Sequence, residues 1–136
     1  KAVNDSLGHA VGDQLLVAVA AALLDTCRGS DLVARLGGDE FLVVCPGVAT
    51  REEALRLQQR LSAAVHDIRI PVPGGVVPGY AAVGVARRGA GSSVESLLAS
   101  ADAAMYADKS SRGARGAGVS CPESVADAAV TSVAAG

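Results

Sequence analysis

The sequence predicts an α/β (α+β) sandwich, with a mixed, mainly antiparallel sheet flanked by helices. Three observations carry that expectation. Apolar residues recur at helical spacing in one segment, and two capping boxes open others. Two short β-rich runs flank a Gly-Gly-Asp-Glu turn. A later run of small and β-branched residues reads as a buried strand. With 136 residues, the chain can enclose a single core. Only Phe41, Tyr80 and Tyr106 are aromatic, so Ala, Val and Leu must fill it.

From Gly12 to Thr26, Leu15, Val19, Ala22 and Leu23 recur at three and four residues, the signature of an amphipathic helix. Asp13 stands at its expected start, where a carboxylate can accept from orphan backbone amides. The preceding residues are polar and glycine-rich and read as a loop. Asp31 to Leu36 and Phe41 to Cys45 form the hairpin, which Pro46 and Gly47 end. Thr50-Arg-Glu-Glu53 opens a second helix to about His66, with Ala54, Leu57, Leu61 and Ala64 or Val65 facing inward. The Pro- and Gly-rich stretch from Pro71 to Gly79 reads as a loop or irregular hairpin. Tyr80 to Ala86 is the buried strand. Ser92-Ser-Val-Glu95 begins a last helix to about Lys109. Residues 1–113 are therefore read as the domain. Residues 114–136 lose periodicity and read as a flexible tail or linker, with at most a helical turn near Val125 to Val130.

Composition excludes several classes of function. A net charge of −2 gives no global positive field for a nucleic-acid duplex or an anionic membrane. Any phosphate must be held by local groups. Cys27, Cys45 and Cys121 form no pair at metal-ligand spacing, and an odd count without a disulfide pattern fits a reducing cytoplasm. No stretch reaches the roughly 20 apolar residues of a membrane span.

The chemistry concentrates at the hairpin tip. Gly37 and Gly38 let the backbone approach a ligand closely, and Asp39 and Glu40 follow at once. Adjacent acids repel, and hard oxygen donors suit Mg²⁺ or Mn²⁺. On its own the tip fits an exposed polar turn better than a reactive one. Its surroundings distinguish the two. Lys1-Ala-Val-Asn4-Asp5-Ser-Leu-Gly8-His9-Ala-Val-Gly12-Asp13, Arg35-Leu-Gly-Gly-Asp-Glu-Phe41 and Ala101-Asp102-Ala-Ala-Met105-Tyr106-Ala-Asp-Lys109 together strongly resemble the GGDEF family of diguanylate cyclases. The resemblance runs from Lys1 to about Gly113, with the three motifs in the family's order and approximate spacing.

That resemblance implies the nucleotidyl cyclase catalytic fold and condensation of two GTP molecules into cyclic di-GMP with release of pyrophosphate. Each protomer of a homodimer presents one GTP. Asp39 and Glu40 match the family's metal-linked acids, with Asp39 also helping to deprotonate the attacking hydroxyl. Lys1 matches a lysine that stabilises developing phosphate charge. Gly37 and Gly38 match backbone beside the phosphates. Asn4 and Asp13 match the guanine-reading pair, and His9 a further nucleotide contact. Lys109 matches a triphosphate-binding lysine, and Arg112 or Arg115 stands in for an arginine that the family places four residues later. Arg28-Gly-Ser-Asp31 matches an RxxD inhibitory site for cyclic di-GMP, with Arg60 as its helper from the next helix.

The resemblance also sets expectations beyond the matched motifs. The family's first, inner strand, with a third metal-binding acid, precedes the position of Lys1, so the sheet is expected to lack it here. The parent is expected in the cytoplasm or tethered to a membrane, joined to sensory or other signalling domains and without a nucleic-acid partner. An alternative is an inactive or truncated GGDEF domain that binds GTP or cyclic di-GMP as a regulatory module.

Overall fold

The structure is a computed structural model that describes residues 2–89, 91–113 and 128–135. Helix α1 (Ala2–Leu7) is followed by α2 (His9–Thr26), and Gly8 between them takes φ 84°, a left-handed value that suits glycine. Two expectations are corrected here. The segment before Gly12 is helical rather than a loop. Asp13 lies inside α2, whose N-cap is Gly8 without a side-chain cap, so Asp13 does not cap it.

Strands β1 (Leu32–Gly37) and β2 (Glu40–Pro46) form the expected hairpin, with Leu32 opposite Val44 and Arg35 opposite Phe41. Helix α3 (Arg51–His66) opens with the capping box read from the sequence: Thr50 Oγ1 accepts from the Glu53 N–H, and the Glu53 carboxylate accepts from the Thr50 N–H. Its buried residues are Ala54, Leu57, Gln58, Leu61 and Val65. The Pro- and Gly-rich stretch is a regular two-stranded hairpin, β3 (Arg69–Val72) and β4 (Gly75–Pro78). Strand β5 (Ala81–Arg87) is buried from Ala81 through Ala86, as a strand covered on both faces must be. Helix α4 (Val94–Gly113) starts one residue later than the expected box requires, because Ser93 Oγ accepts from Ser96 N while Ser92 Oγ accepts from Gly89 N.

The largest correction lies at the C-terminal end. Residues Ala128–Ala135 form β6, which runs antiparallel between β2 and β5 in a four-stranded sheet of order β1-β2-β6-β5. Residues 128–135 are therefore not a tail; the rest of that expectation, 114–127 and Gly136, lies outside the described residues. The inner place that the resemblance assigns to a strand ahead of Lys1 is held by β6. The physical reason is pairing: without a strand there, β2 and β5 would each leave a row of interior N–H and C=O groups unmet.

The sheet divides two apolar layers. Phe41, Val43 and Cys45 of β2 and Ala81, Val83 and Val85 of β5 pack with Leu15, Val19 and Leu23 of α2 and with α3. On the other face Leu42, Val44 and Ala86 pack with Leu97, Leu98 and Ala101 of α4. The outer edge of β5 is closed by side chains. Asp108 Oδ2 accepts from Val83 N at 3.1 Å, and the buried Gln58 amide donates to the Val83 carbonyl. Both helices are thereby tied to one residue of β5.

Candidate active site

The hairpin tip is held from behind. Arg35 Nε and Nη2 both donate to the Gly38 carbonyl, at 3.1 and 2.6 Å, forming a charge-assisted fork across the turn. Gly38 has φ 54°, so a residue with Cβ would be strained there. Asp39 is half-buried and Glu40 exposed. Among the described residues neither carboxylate has a hydrogen-bond or ion-pair partner, and the only salt bridge joins Arg56 to Glu52. The nearest cation in sequence, Arg35, is thus committed to a backbone oxygen. Two adjacent acids remain with their oxygens available to an outside cation. Arg35 was legible in the sequence only as part of a motif and carried no role; its place two residues before the Gly37-Gly38 turn was the available signal.

Beside the tip, Asp13, Leu16 and Val17 of α2 and Arg35 and Phe41 of the hairpin line an open groove of about 330 Å³. Its walls are largely aliphatic, with Val17 70% exposed, and Asp13 supplies a carboxylate at its margin. Such a groove suits a flat heteroaromatic ring whose faces meet aliphatic carbon and whose edge offers N–H donors. Asn4 of α1 packs against Gly12, the residue before Asp13. His9 is the exposed first residue of α2.

The far side is set by α4. Val83 pairs with Val133, and Val133 with Phe41, so the Asp108 that bonds Val83 lies level with Phe41 across the sheet. Two strand spacings separate Val83 from Phe41, about 10 Å. Lys109 is exposed beside Asp108, and Arg112 lies in the last turn of α4. Lys1 and Arg115 fall outside the described residues. Asp13 thus lies beside the hairpin tip that carries Asp39 and Glu40, while Lys109 follows Asp108 on the helix that covers the other face of the sheet.

The RxxD residues lie at the other end of the hairpin. The Asp31 carboxylate accepts from the Arg28 backbone N–H at 2.7 Å, closing the turn that enters β1. Arg28, Asp31 and Arg60 line a cavity of about 230 Å³, joined by Arg56 and Glu53 from α3 and by Cys45 from β2. Arg60 Nη2 donates to the Thr26 carbonyl at 2.6 Å, tying α3 to the end of α2. Arg56 was missed in the sequence, although it precedes Arg60 by one helical turn and shares its face. Burial, reinforced by the Asp31 charge, pushes the Cys45 thiol up to about 12 and raises Cys27 as well. Both thiols stay protonated at neutral pH and serve as small apolar filling.

The chain matches the profile of the diguanylate cyclase GGDEF domain over residues 1–115. It is 41% identical over 118 residues to the diguanylate cyclase TpbB of Pseudomonas aeruginosa, an alignment covering 85% of this chain and 27% of TpbB. It is 39% identical over 114 residues to MucR of the same organism, a bifunctional diguanylate cyclase/cyclic di-GMP phosphodiesterase, covering 78% of this chain and 15% of that protein. This chain spans about a quarter or less of the length of these relatives. Among solved structures, the diguanylate cyclase SiaD of P. aeruginosa, in complex with its activator SiaC, superposes with a TM-score of 0.74 at 32% identity, covering 88% of this chain and 44% of SiaD. The isolated GGDEF domain of TpbB gives 0.67 at 37% identity, covering 89% and 74%.

Proposed function

Because the chain belongs to the GGDEF domain family of diguanylate cyclases, we propose that it condenses two GTP molecules into cyclic di-GMP as a homodimer. The 3′-hydroxyl oxygen of one GTP attacks the α-phosphorus of the other. The bond from that phosphorus to the bridging oxygen breaks, pyrophosphate leaves with the electron pair, and the hydroxyl proton passes to a base. The same exchange in the opposite sense closes the ring and releases the second pyrophosphate.

The observation that carries this reading is the clamped tip with two unpaired carboxylates. Asp39 is the base by position, since its side chain stands on the turn that Arg35 holds still. Asp39 and Glu40 fit a hard divalent ion, Mg²⁺ or Mn²⁺, which binds through one or two carboxylates together with substrate phosphates. When bound, such an ion neutralises charge that builds on the transferring phosphoryl group. Gly37 and Gly38 give phosphate room beside the backbone, and Lys1, Lys109 and Arg112 supply positive charge to the triphosphate. Guanine enters the aliphatic groove, where Asp13 accepts from its N1–H and N2–H₂ and Asn4 and His9 complete the contact. Adenine lacks that donor pair.

The arginine cavity is the product site of this proposal. Arg28, Arg56 and Arg60 offer forked donors to phosphate or to the guanine edge, and Asp31 accepts from guanine. Sensory domains elsewhere in a longer parent supply the input, and the cytoplasm supplies GTP. The direct test is incubation with GTP and Mg²⁺ while following cyclic di-GMP by chromatography. No product, with Asp39→Ala indistinguishable from the unaltered protein, refutes the enzyme reading.

One observation favours a second reading, a regulatory module that binds cyclic di-GMP without turnover. Arg28, Asp31, Arg56 and Arg60 line one cavity of about 230 Å³, a set of donors and one acceptor that suits a guanine-bearing phosphodiester. Calorimetry separates the two, because the module binds cyclic di-GMP in a protein that forms none. Arg28→Ala should weaken that binding at least about tenfold through loss of a charge-assisted contact. Unchanged binding rejects the site.

A further inference from the structure

Gly12 occupies the interior of an 18-residue helix, where glycine costs stability relative to alanine. Its backbone offers no reason for that cost, since Gly12 is not among the glycines with positive φ. The reason is spatial. A Cβ built on Gly12 would stand 1.8 Å from Asn4 Oδ1 and 2.9 Å from Asn4 Cγ, but 3.4 Å from Asn4 Nδ2. The Asn4 carboxamide therefore sits in the hollow that the missing side chain leaves, its oxygen nearer Gly12 than its nitrogen. Asn4 Oδ1 is buried and has no hydrogen-bond partner among the described residues, a second departure from ordinary packing. Asp13 follows Gly12 directly and lines the groove.

We infer that Gly12 is a specificity-determining positioning residue. It seats the Asn4 carboxamide against α2 so that an amide donor and the Asp13 carboxylate act together on the nucleobase edge. This rests on the guanine-binding role proposed above. The chemistry is selective because guanine places the carbonyl acceptor O6 beside the donors N1–H and N2–H₂. An amide N–H donor and a carboxylate meet that pattern. Adenine presents the reverse order along the same edge, an amino donor and a ring-nitrogen acceptor, and leaves both protein groups mismatched. Gly12 is buried and has no side chain with which to reach a nucleotide. Its effect passes entirely through Asn4, which makes the inference separable from a general packing role.

The test is a double-mutant cycle on the intact chain with Gly12→Ala, Asn4→Ala and the double variant. KM for GTP and kcat are read from cyclic di-GMP formation, and stability from urea unfolding. Gly12→Ala should raise KM for GTP about tenfold or more, with the loss falling on KM rather than on kcat, as removal of a binding contact does. In the Asn4→Ala background Gly12→Ala should leave KM unchanged and stabilise the fold, because the collision is gone and alanine favours the helix. An equal rise in KM in both backgrounds, or no rise in either, overturns the inference. If Gly12→Ala alone fails to fold, recovery of folding in the double variant supports the seat and failure of the double variant overturns it. An unaltered protein that neither binds nor converts GTP brings down the guanine reading itself, and that result is visible before any variant is compared.

Discussion

Gly84→Ala should be among the most damaging single-methyl additions in the chain. Gly84 lies in the middle of β5, facing α4, and a Cβ there would meet the Ala101 carbonyl oxygen at 2.1 Å and the Met105 nitrogen at 2.2 Å. Real Cβ atoms essentially never approach closer than 3.0 Å, so α4 must retreat by about 0.9 Å at this point. The obstructing atoms are backbone, so no rotamer change relieves the contact. Overpacking of a core costs typically 1–3 kcal/mol, and a backbone obstruction belongs at about 3 kcal/mol. At roughly 4 °C per kcal/mol for a domain of this size, the melting midpoint should fall by about 12 °C. Lys109 rides on the same helix, so KM for GTP should rise as well. Thermal unfolding followed by circular dichroism measures the first effect. Gly75→Ala in β4 is the control, because a Cβ there meets nothing within 4 Å and φ is not left-handed. A Gly84→Ala shift no larger than that of Gly75→Ala would refute the close approach of α4 to β5.

Val133→Pro removes a backbone N–H from the strand paired between β2 and β5 and should cost about 3 kcal/mol or more by urea unfolding. An unchanged midpoint would mean that residues 128–135 do not form the inner strand. Arg35→Ala should lower kcat by about 10²-fold by releasing the tip, while shifting stability by less than about 1 kcal/mol because the fork is exposed. Equal losses in both would make Arg35 a structural residue only. Backbone N–H bonds from Thr50 and Ala49 hold the Glu53 carboxyl below its usual 4.5. Its contribution is therefore fully present above pH 4.5 and is lost as pH falls through the lowered value of the folded state. The stability gap between the unaltered protein and Glu53→Gln should narrow on acidification, and a gap that widens would refute this capping role.

Elements whose signal is local were legible in the sequence. Thr50 and Glu53 satisfy each other within one helical turn, and the β1–β2 hairpin is set by a turn between two β-rich runs, so both emerge from short stretches of chain. Asp13 was misplaced because a carboxylate near a helix start resembles a cap, while the true start depends on Gly8 adopting a left-handed φ. Strand β6 was illegible for a different reason. Its residues, Ala128 to Ala135, comprise four alanines with two valines, a serine and a threonine, so apolar alternation has almost no contrast. What makes them a strand is a vacancy between β2 and β5, a property of chain far away in sequence. The Asn4–Gly12 contact was likewise hidden, because a helix interior gives no sign of what lies against its glycine.

The hairpin tip separates a polar turn from a reactive one through what Arg35 does. A turn selected only for exposure gains most by pairing its acids with the nearest guanidinium, which relieves their mutual repulsion. Here the guanidinium bonds the neutral Gly38 carbonyl and neither carboxylate. That arrangement stiffens the turn and leaves the repulsion between Asp39 and Glu40 in place, a cost that a bound cation removes and a solvated turn does not. The same two strands end, at Asp31 and Cys45, in the arginine cavity, where the charges are of opposite sign and the acid closes a backbone turn. One hairpin thus carries unpaired negative charge at its tip and clustered positive charge at its base. The tip suits a metal–triphosphate and the base a phosphodiester, so under the proposed function a single pair of strands would sort substrate from product by charge.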